Sequence, residues 1–457
     1  MDPLITVEKS AWLLRPVIGE IKGTKAVILL KPKDKNISLS LSLFQKDNDE
    51  NTVFYPKIYI EDSKPTRLVV QFPSAGKYQL RWASVKDVEE NKVESLVVYV
   101  HEIVIKEQMD KMIFVSCDFL EADTKHSMWD VMGKEIKGKS SVSIFHLGGQ
   151  AYMDATFNKG VRIAGECDEN AKQKIMDMFA KRYQETWEPH HYILSHTSNY
   201  CIWDDHEIKN DITLTESLPK DADFVRSMAV ESYKNYQQSL HLEFSPILSE
   251  YSWVKKVGTM MIIAIERTSV EVPVKDIISV VSVEDKITRL ILCFSSAPIP
   301  KPKGKYGAAY ETITGDDGKG KKSKFWPENK LLELYSGLFD WMDKVSNREV
   351  LVAGGDLHFG TYGVMMRATK CIPVIISSPI TSEPTPERWM ASKGMKGLHV
   401  LSHAKSPIIF TTVSSKAKRC YAVVDLRGAT FDVRMEYAKE KHPRSVKDYY
   451  KTMIQMK

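Results

Sequence analysis

The chain has 457 residues, room for about three domains at roughly 150 residues each. Hydrophobic residues make up 43% and charged residues 27%, with 23 Gly and 20 Pro, which excludes extended disorder and collagen-like or low-complexity architecture. A net charge of +5 is too small over this length to mark a nucleic-acid-binding or membrane-surface protein. From the N-terminus, β-branched or alternating runs predict strands: KAVILLK (25–31), ISLSLSLF (37–44), YPKIYIE (55–61), TRLVVQF (66–72), YQLRWAS (78–84) and SLVVYVHEIVI (95–105). Turn-forming KDKN, KDNDEN and PSAG separate them. The pattern predicts an immunoglobulin-like β-sandwich over residues 1–107.

From 108 to 457 strands alternate with amphipathic helices. Strands are predicted at 111–117, 142–147, 200–203, 260–265, 287–294, 349–356, 372–377 and 408–413, with a hairpin about Arg427-Gly428 within 419–437. Helices are predicted at 169–187, on the spacing of Ile175, Met178, Phe179 and Tyr183, at 221–240, and at 327–345 behind Pro327. This is the pattern of an α/β domain whose sheets are covered on both faces. Residues 300–325 are rich in Gly and Lys and belong to no predicted element. They read as a basic loop insertion, either a solvated loop or a lid over an anionic substrate.

Cys117, Cys167, Cys201, Cys293, Cys371 and Cys420 form no CxxC pair, a pattern of reduced thiols rather than of a disulfide framework. The N-terminal MDPLITVEKSAWLL lacks a basic stretch before an apolar one, and no apolar run approaches the roughly 18 residues of a membrane span. The expected location is intracellular and cytoplasmic, with no membrane partner.

Polar clusters recur at the carboxyl ends of four apolar strands: Cys117-Asp118, the run from Gly148 to Asp154 that contains Tyr152, Asp204-Asp205-His206-Glu207, and Asp356-Leu357-His358. Ligands of open α/β sheets bind at such ends, and Cys, Tyr, Asp and His are metal-ligand types. Taken singly, Cys117 reads as a buried core thiol and Tyr152 as a packed aromatic. Taken together, four clusters at equivalent places argue for one site. Four ionisable groups beside Trp203 are costly unless a cation or a network neutralises them.

These motifs resemble the PhoD-like (alkaline phosphatase D) metallophosphatases. HLGGQAYMD is similar to the family's HLGDQIYMD, and WDDHEIKND to its WDDHE-x-x-(Asn/Asp) signature. FVSCD with MWDVM, AVESYKNYQQ, IERTS, GGDLHFG and ISSPIT resemble further family segments, so the likeness runs from about Phe114 to Thr381. The resemblance implies a four-layer αββα calcineurin-like fold holding a metal centre behind an N-terminal β-sandwich. It implies that Cys117, Tyr152 and His358 bind an iron(III)-like ion, and that Asp205 and Asp356 bind a second, divalent ion such as calcium. His206 would protonate the leaving group or stabilise the phosphate oxyanion. Asp204, Glu207 and Asn210 would support the ligands, and Arg267 would meet the substrate phosphate.

Two positions depart from the family pattern. Gly149 stands where the family has the Asp that bridges both metals, and Glu266 where it usually has Asp. Two cations about 3.5–4 Å apart repel, and a bridging anion offsets this. The consequences open from here are loss of one metal, an empty site, or a substitute carboxylate from Asp118 or Asp154. Two functional readings follow. One is a metal-dependent phosphomonoesterase or phosphodiesterase, weakened by the missing ligand, acting on a phosphate ester. The other is a catalytically degenerate phosphoesterase fold retained as a binding or structural subunit of a larger assembly.

Overall fold

The computed structural model describes residues 12–438, apart from 34–37, 47–51, 61–63, 89–91, 107–108, 123–126, 137–140, 167–168, 213, 267–273, 297, 315–324, 382–384 and 402–406. The expected domain boundary at 107/108 therefore lies outside the described residues, as does Arg267.

Seven strands build the N-terminal part: β1 (Trp12–Lys22), β2 (Lys25–Pro32), β3 (Ser38–Gln45), β4 (Thr52–Ile58), β5 (Thr66–Gln71), β6 (Gly76–Val88) and β7 (Lys92–Ile105). They form a three-stranded sheet in the order β1-β2-β5 and a four-stranded sheet in the order β4-β3-β6-β7. Inward-facing Ile28, Leu30, Leu41, Leu43, Leu80 and Trp82 close the space between them, as alternation in a sandwich requires. Strand β1 is absent from the sequence-based expectation because Pro16 and Gly19 interrupt its pattern. Both fit an edge strand, where a missing ladder donor and a close backbone approach are tolerated. A Cβ at Gly19 would lie 2.2 Å from Leu240 O.

The remaining strands are β8 (Lys111–Val115), β9 (Val142–His146), β10 (Ser198–Cys201), β11 (Pro246–Ile247), β12 (Ser249–Val257), β13 (Met260–Ile265), β14 (Arg289–Phe294), β15 (Glu349–Gly354), β16 (Gly360–Arg367), β17 (Lys370–Ile376), β18 (Leu398–Val400), β19 (Ile409–Lys416), β20 (Cys420–Asp425) and β21 (Asp432–Tyr437). They make a five-stranded sheet, β10-β9-β8-β20-β21, and a nine-stranded sheet, β11-β12-β13-β14-β15-β17-β16-β19-β18. Strands β8, β9 and β10 run parallel, as do β13, β14, β15 and β17. Their continuous apolar runs suit strands buried on both faces.

The helices are α1 (Ser127–Ile136), α2 (Asp154–Gly165), α3 (Ala171–Trp187), α4 (His191–Leu194), α5 (Lys220–Tyr236), α6 (Val274–Ser282), α7 (Gly304–Thr314), α8 (Glu328–Lys344) and α9 (Pro386–Gly394). The two sheets face each other across Phe114, Phe145, Tyr200, Ile262, Ile291, Leu351 and Ala422. Residues of α6 and α8 cover the outer face of the larger sheet, and α1 covers the outer face of the smaller one. The result is a mixed α/β fold, an N-terminal immunoglobulin-like sandwich followed by a four-layer αββα unit. No described helix is long and apolar enough to cross a membrane.

The segment expected as a loop at 300–325 instead contains α7. Its Gly and Lys content masked an apolar helical spacing. Tyr310 is buried against Phe325, ring centroids 5.6 Å apart, and Tyr306 meets Trp389 of α9.

The sandwich is fastened to the αββα unit by polar contacts, one of them buried. Arg15 forks onto Glu188 at 2.6 and 3.1 Å. Glu20 pairs with Lys255 at 2.6 Å, and both side chains are under a tenth exposed. Arg67 donates to the carbonyls of Ser239, His241 and Leu242, which closes the end of the turn after α5.

Candidate functional site

The carboxyl ends of the parallel strands of both sheets meet at Gly355. A Cβ there would lie 2.4 Å from Leu147 O and 2.9 Å from both Ser116 Cβ and Ser295 O, so only glycine lets three strand ends approach this closely. At Gly148 a Cβ would lie 2.5 Å from Asp204 Cβ. Around this junction the backbone is left-handed at Cys117 (φ 57°), Gly148 (φ 94°), Gly149 (φ 62°), Asp356 (φ 64°) and His358 (φ 53°). Non-glycine residues adopt this region at an energetic cost and collect at functional sites. Sharp turns at these strand ends aim neighbouring side chains back across the junction.

Three of the sequence-selected residues come together directly. The Tyr152 hydroxyl lies 3.1 Å from His358 Nε2. The Cys117 thiol accepts from Ser378 Oγ at 3.2 Å, and the same Ser378 Oγ accepts from the His358 N–H at 3.0 Å. Burial, then the charge of Asp356 and more weakly that of Asp204, push the Cys117 thiol up to about 12, against the hydrogen bonds of Ser116 and Ser378. Burial also pushes the Tyr152 phenol well above its usual range, helped by Cys117, Asp356 and Asp205. Asp205 and Asp356 therefore lie within electrostatic reach of the Cys117–Tyr152 pair.

The Asp204–Glu207 turn is held by a capping box. Glu207 is buried and collects four donors: Gly149 N, Gln150 N, Asp204 N and Gln237 Nε2. This single carboxylate joins the Gly148–Gln150 loop to the Asp204–Glu207 turn and to the end of α5. Asp205 Oδ2 accepts from Asp211 N at 2.8 Å, which fixes one face of its carboxylate.

His206 stacks on the Tyr152 ring, centroids 3.9 Å apart, and its Nδ1 lies 2.9 Å from Asp154 Oδ2. Asn210 N donates to the other oxygen of Asp154 at 2.9 Å. Burial raises the Asp154 pKa, but His206 and the Asn210 N–H outweigh it and hold this carboxyl below its ordinary value. Asp118 is engaged elsewhere too. Trp129 Nε1 donates to it at 3.3 Å, and His190 Nε2 lies 3.5 Å from its second oxygen. Both acids considered as substitutes for the carboxylate missing at 149 are thus committed to other partners.

Gly149 itself has room for a side chain. A Cβ would lie 3.4 Å from Cys117 Cα and 3.5 Å from Tyr152 Cε2, in ordinary contact between two of the expected ligands. Among the described residues no three His, Cys, Asp or Glu side chains gather into a ready-made metal-binding group. The donor chemistry nonetheless suits a cation. A thiol, a phenol and an imidazole adjoin, with carboxylates close enough to raise the first two, and a positive charge would relieve that mutual repulsion. Glu266 is buried beyond β13, its N–H donating to Ser252 Oγ.

Sequence reasoning singled out neither Ser378 nor Gln150 for a role, and took Glu207 as a support for the ligands without its partners. Ser378 carried a signal, since the run ISSPIT follows a strand; the segment ties the strand ends together, Ser116 Oγ donating to Ser377 O at 2.9 Å and Thr381 Oγ1 to Cys117 O at 3.2 Å.

No known family profile matches the chain, and no curated protein matches it. Solved structures do. PhoD covers 98% of this chain and 99% of its own, with a TM-score of 0.60 and 10% sequence identity. A purple acid phosphatase from yellow lupin (Lupinus luteus) seeds is matched over 92% of this chain and 71% of its own, with a TM-score of 0.53 and 9% identity. At such identities the likeness is one of fold alone, and the chain shares the fold of PhoD.

Proposed function

We propose that this chain is a metal-dependent phosphoesterase whose activity is weakened by the absence of a carboxylate at position 149. The observation that carries the reading is the meeting of Cys117, Tyr152 and His358 around Ser378, with Gly149 facing Cys117 and Tyr152. Cys117, Tyr152 and His358 would hold one ion, iron(III) if the resemblance to the PhoD-like family carries over, since a phenolate and a thiolate offset a high positive charge. Asp205 and Asp356 would hold a second, such as calcium, weakly or not at all. Bound ions would polarise the phosphoryl oxygens and supply a nucleophile at neutral pH.

The chain's own groups have separate tasks in this reading. Asp154 holds His206 through Nδ1, so the imidazole exchanges a proton with a bound ester through Nε2. Stacking on Tyr152 fixes the plane of that ring. Glu207 holds the two loops that carry Tyr152 and Asp205. Asp204, in the same turn, would support the ligands at the catalytic centre, and Arg267 would meet the phosphate. The chain's partner is then a phosphate ester rather than nucleic acid.

One observation favours the second reading, a degenerate fold kept for binding. Asp118 and Asp154 are both engaged away from position 149, so neither makes good the loss. Elemental analysis after metal loading, paired with hydrolysis of an aryl phosphate ester, separates the two. Bound transition metal with measurable turnover supports the phosphoesterase. Metal-free protein without turnover supports the degenerate fold.

A further inference from the structure

A chain of buried polar groups leads from the N-terminal sandwich to the Gly148–Gln150 loop. Asn199, on β10, donates through Nδ2 to Ile18 O of β1 at 2.8 Å, and also to Leu194 O and Thr197 O. Three carbonyls around that nitrogen leave the amide one orientation, so Oδ1 faces His146. His146 Nε2 lies 3.0 Å from it, and the ring, whose pKa burial holds below its ordinary value, has one proton to give either to this oxygen or to Gln150. The other ring nitrogen lies 2.5 Å from Gln150 Oε1. Gln150 in turn donates through Nε2 to Gly148 O and through its backbone N–H to Glu207. His146, Gln150 and Asn199 are all at most 3% exposed, so water cannot replace a broken link at little cost.

We propose that His146 and Asn199 are positioning residues through which the N-terminal sandwich sets the loop carrying Gly149 and Tyr152. The inference rests on reading that loop as part of the functional site. The sandwich is then a working part of the site. A rigid loop demands it: Gly148 and Gly149 are conformationally permissive, and both are held in left-handed conformations. Side-chain packing cannot hold glycines, so backbone hydrogen bonds must. Gly149 N and Gln150 N reach Glu207 from one side, and Gln150 reaches His146 from the other.

Hydrogen exchange of the full-length chain tests this without requiring bound metal or turnover, so its outcome is independent of whether the chain hydrolyses esters. His146→Leu removes the ring that stands between the two amides and leaves the three carbonyl contacts of Asn199 in place. The amides of Gly149, Gln150 and Asp204 should then exchange about tenfold faster or more, while β2 and β3 remain as in the wild type. Gln150→Met, close in volume, should do the same if His146→Leu does not fold. Gly19→Ala, which forces β1 off Leu240 beside Ile18, should speed exchange at the same amides in the wild-type background and add nothing there in His146→Leu. Unchanged exchange at 149, 150 and 204 in a folded variant overturns the proposal. So does an effect of Gly19→Ala that simply adds to that of His146→Leu.

Discussion

The Tyr152 hydroxyl and His358 Nε2 stand 3.1 Å apart although 206 residues separate them in the chain. Each arrives from a different sheet, Tyr152 from the loop after β9 and His358 from the turn after β15. Their approach depends on Gly355, where the two sheets touch, and on Ser378, which holds both the Cys117 thiol and the His358 backbone. An unusual backbone, a buried thiol and a buried phenol thus share one small region, as expected where strain and perturbed ionisation serve a function.

Tyr152→Phe tests that contact. With iron(III) added, the wild type should develop a visible charge-transfer band from phenolate and thiolate, and the variant should lose the phenolate part. The stability change should stay near 1 kcal/mol, the usual net worth of one hydrogen bond. Absorption spectra during iron titration provide the check. A wild type with no band would remove Cys117 and Tyr152 from the ligand set.

Gly149→Asp should raise both metal retention and hydrolysis of an aryl phosphate ester. Space exists for the Cβ, at 3.4–3.5 Å from its nearest neighbours, but φ is +62°. An L-residue in this region costs about 1–2 kcal/mol, less for Asp than for most. Gly149→Ala carries the same backbone penalty without a carboxylate and is the control. Metal content of the two variants under identical loading decides the matter, and equal retention in both would count against a ligand role for position 149.

Gly355→Ala should be among the more damaging substitutions. Its Cβ would press on Leu147 O at 2.4 Å and on Ser295 O at 2.9 Å, both backbone atoms that cannot rotate away. The expected loss is about 1–3 kcal/mol, as for other overpacked positions, seen as a lower denaturant midpoint. A midpoint equal to that of the wild type would mean that the strand ends are further apart than described.

Acid should weaken the attachment of the sandwich. His241 is buried, and burial lowers its pKa to about 4, with Lys255 and Arg67 acting in the same direction and Glu20 opposing them. Burial likewise holds His101 and His191 well below 6.5. A histidine whose folded pKa is depressed binds its proton first in the unfolded state. Stability is therefore intact above about pH 6.5 and falls as pH drops toward 4. Lowering the His241 pKa from 6.5 to about 4 corresponds to roughly 3 kcal/mol. Denaturation midpoints between pH 7 and 4 should fall steeply in the wild type and less steeply in His241→Gln. Parallel pH profiles for the two proteins would contradict this origin.

Local pattern alone determined most of the element types. Apolar runs such as MMIIAI and RLILCF lie where strands β13 and β14 are found, and the helical spacing around Phe179 and Tyr183 lies in α3. These follow from side-chain periodicity, which is written in neighbouring residues. Strands β11, β12, β16 and β18 and helices α1, α2, α4, α6 and α9 were not read from the sequence, and neither were β1 and α7, where Pro16 and Gly19 in one and Gly and Lys in the other hide an element that only packing completes. The chemistry-bearing residues stood out at strand ends because Cys, Tyr, Asp and His are conspicuous after apolar runs. What each one touches was decided in three dimensions. Nothing near Asp154 in sequence announces that it holds His206, or near Asp118 that it meets Trp129 and His190. Nor does local sequence reveal that Glu207 gathers four donors from three segments. A buried carboxylate takes whichever donors the packed chain brings within hydrogen-bonding distance, and that distance is set by strands far apart in sequence whose ends the glycines at 148 and 355 allow to close.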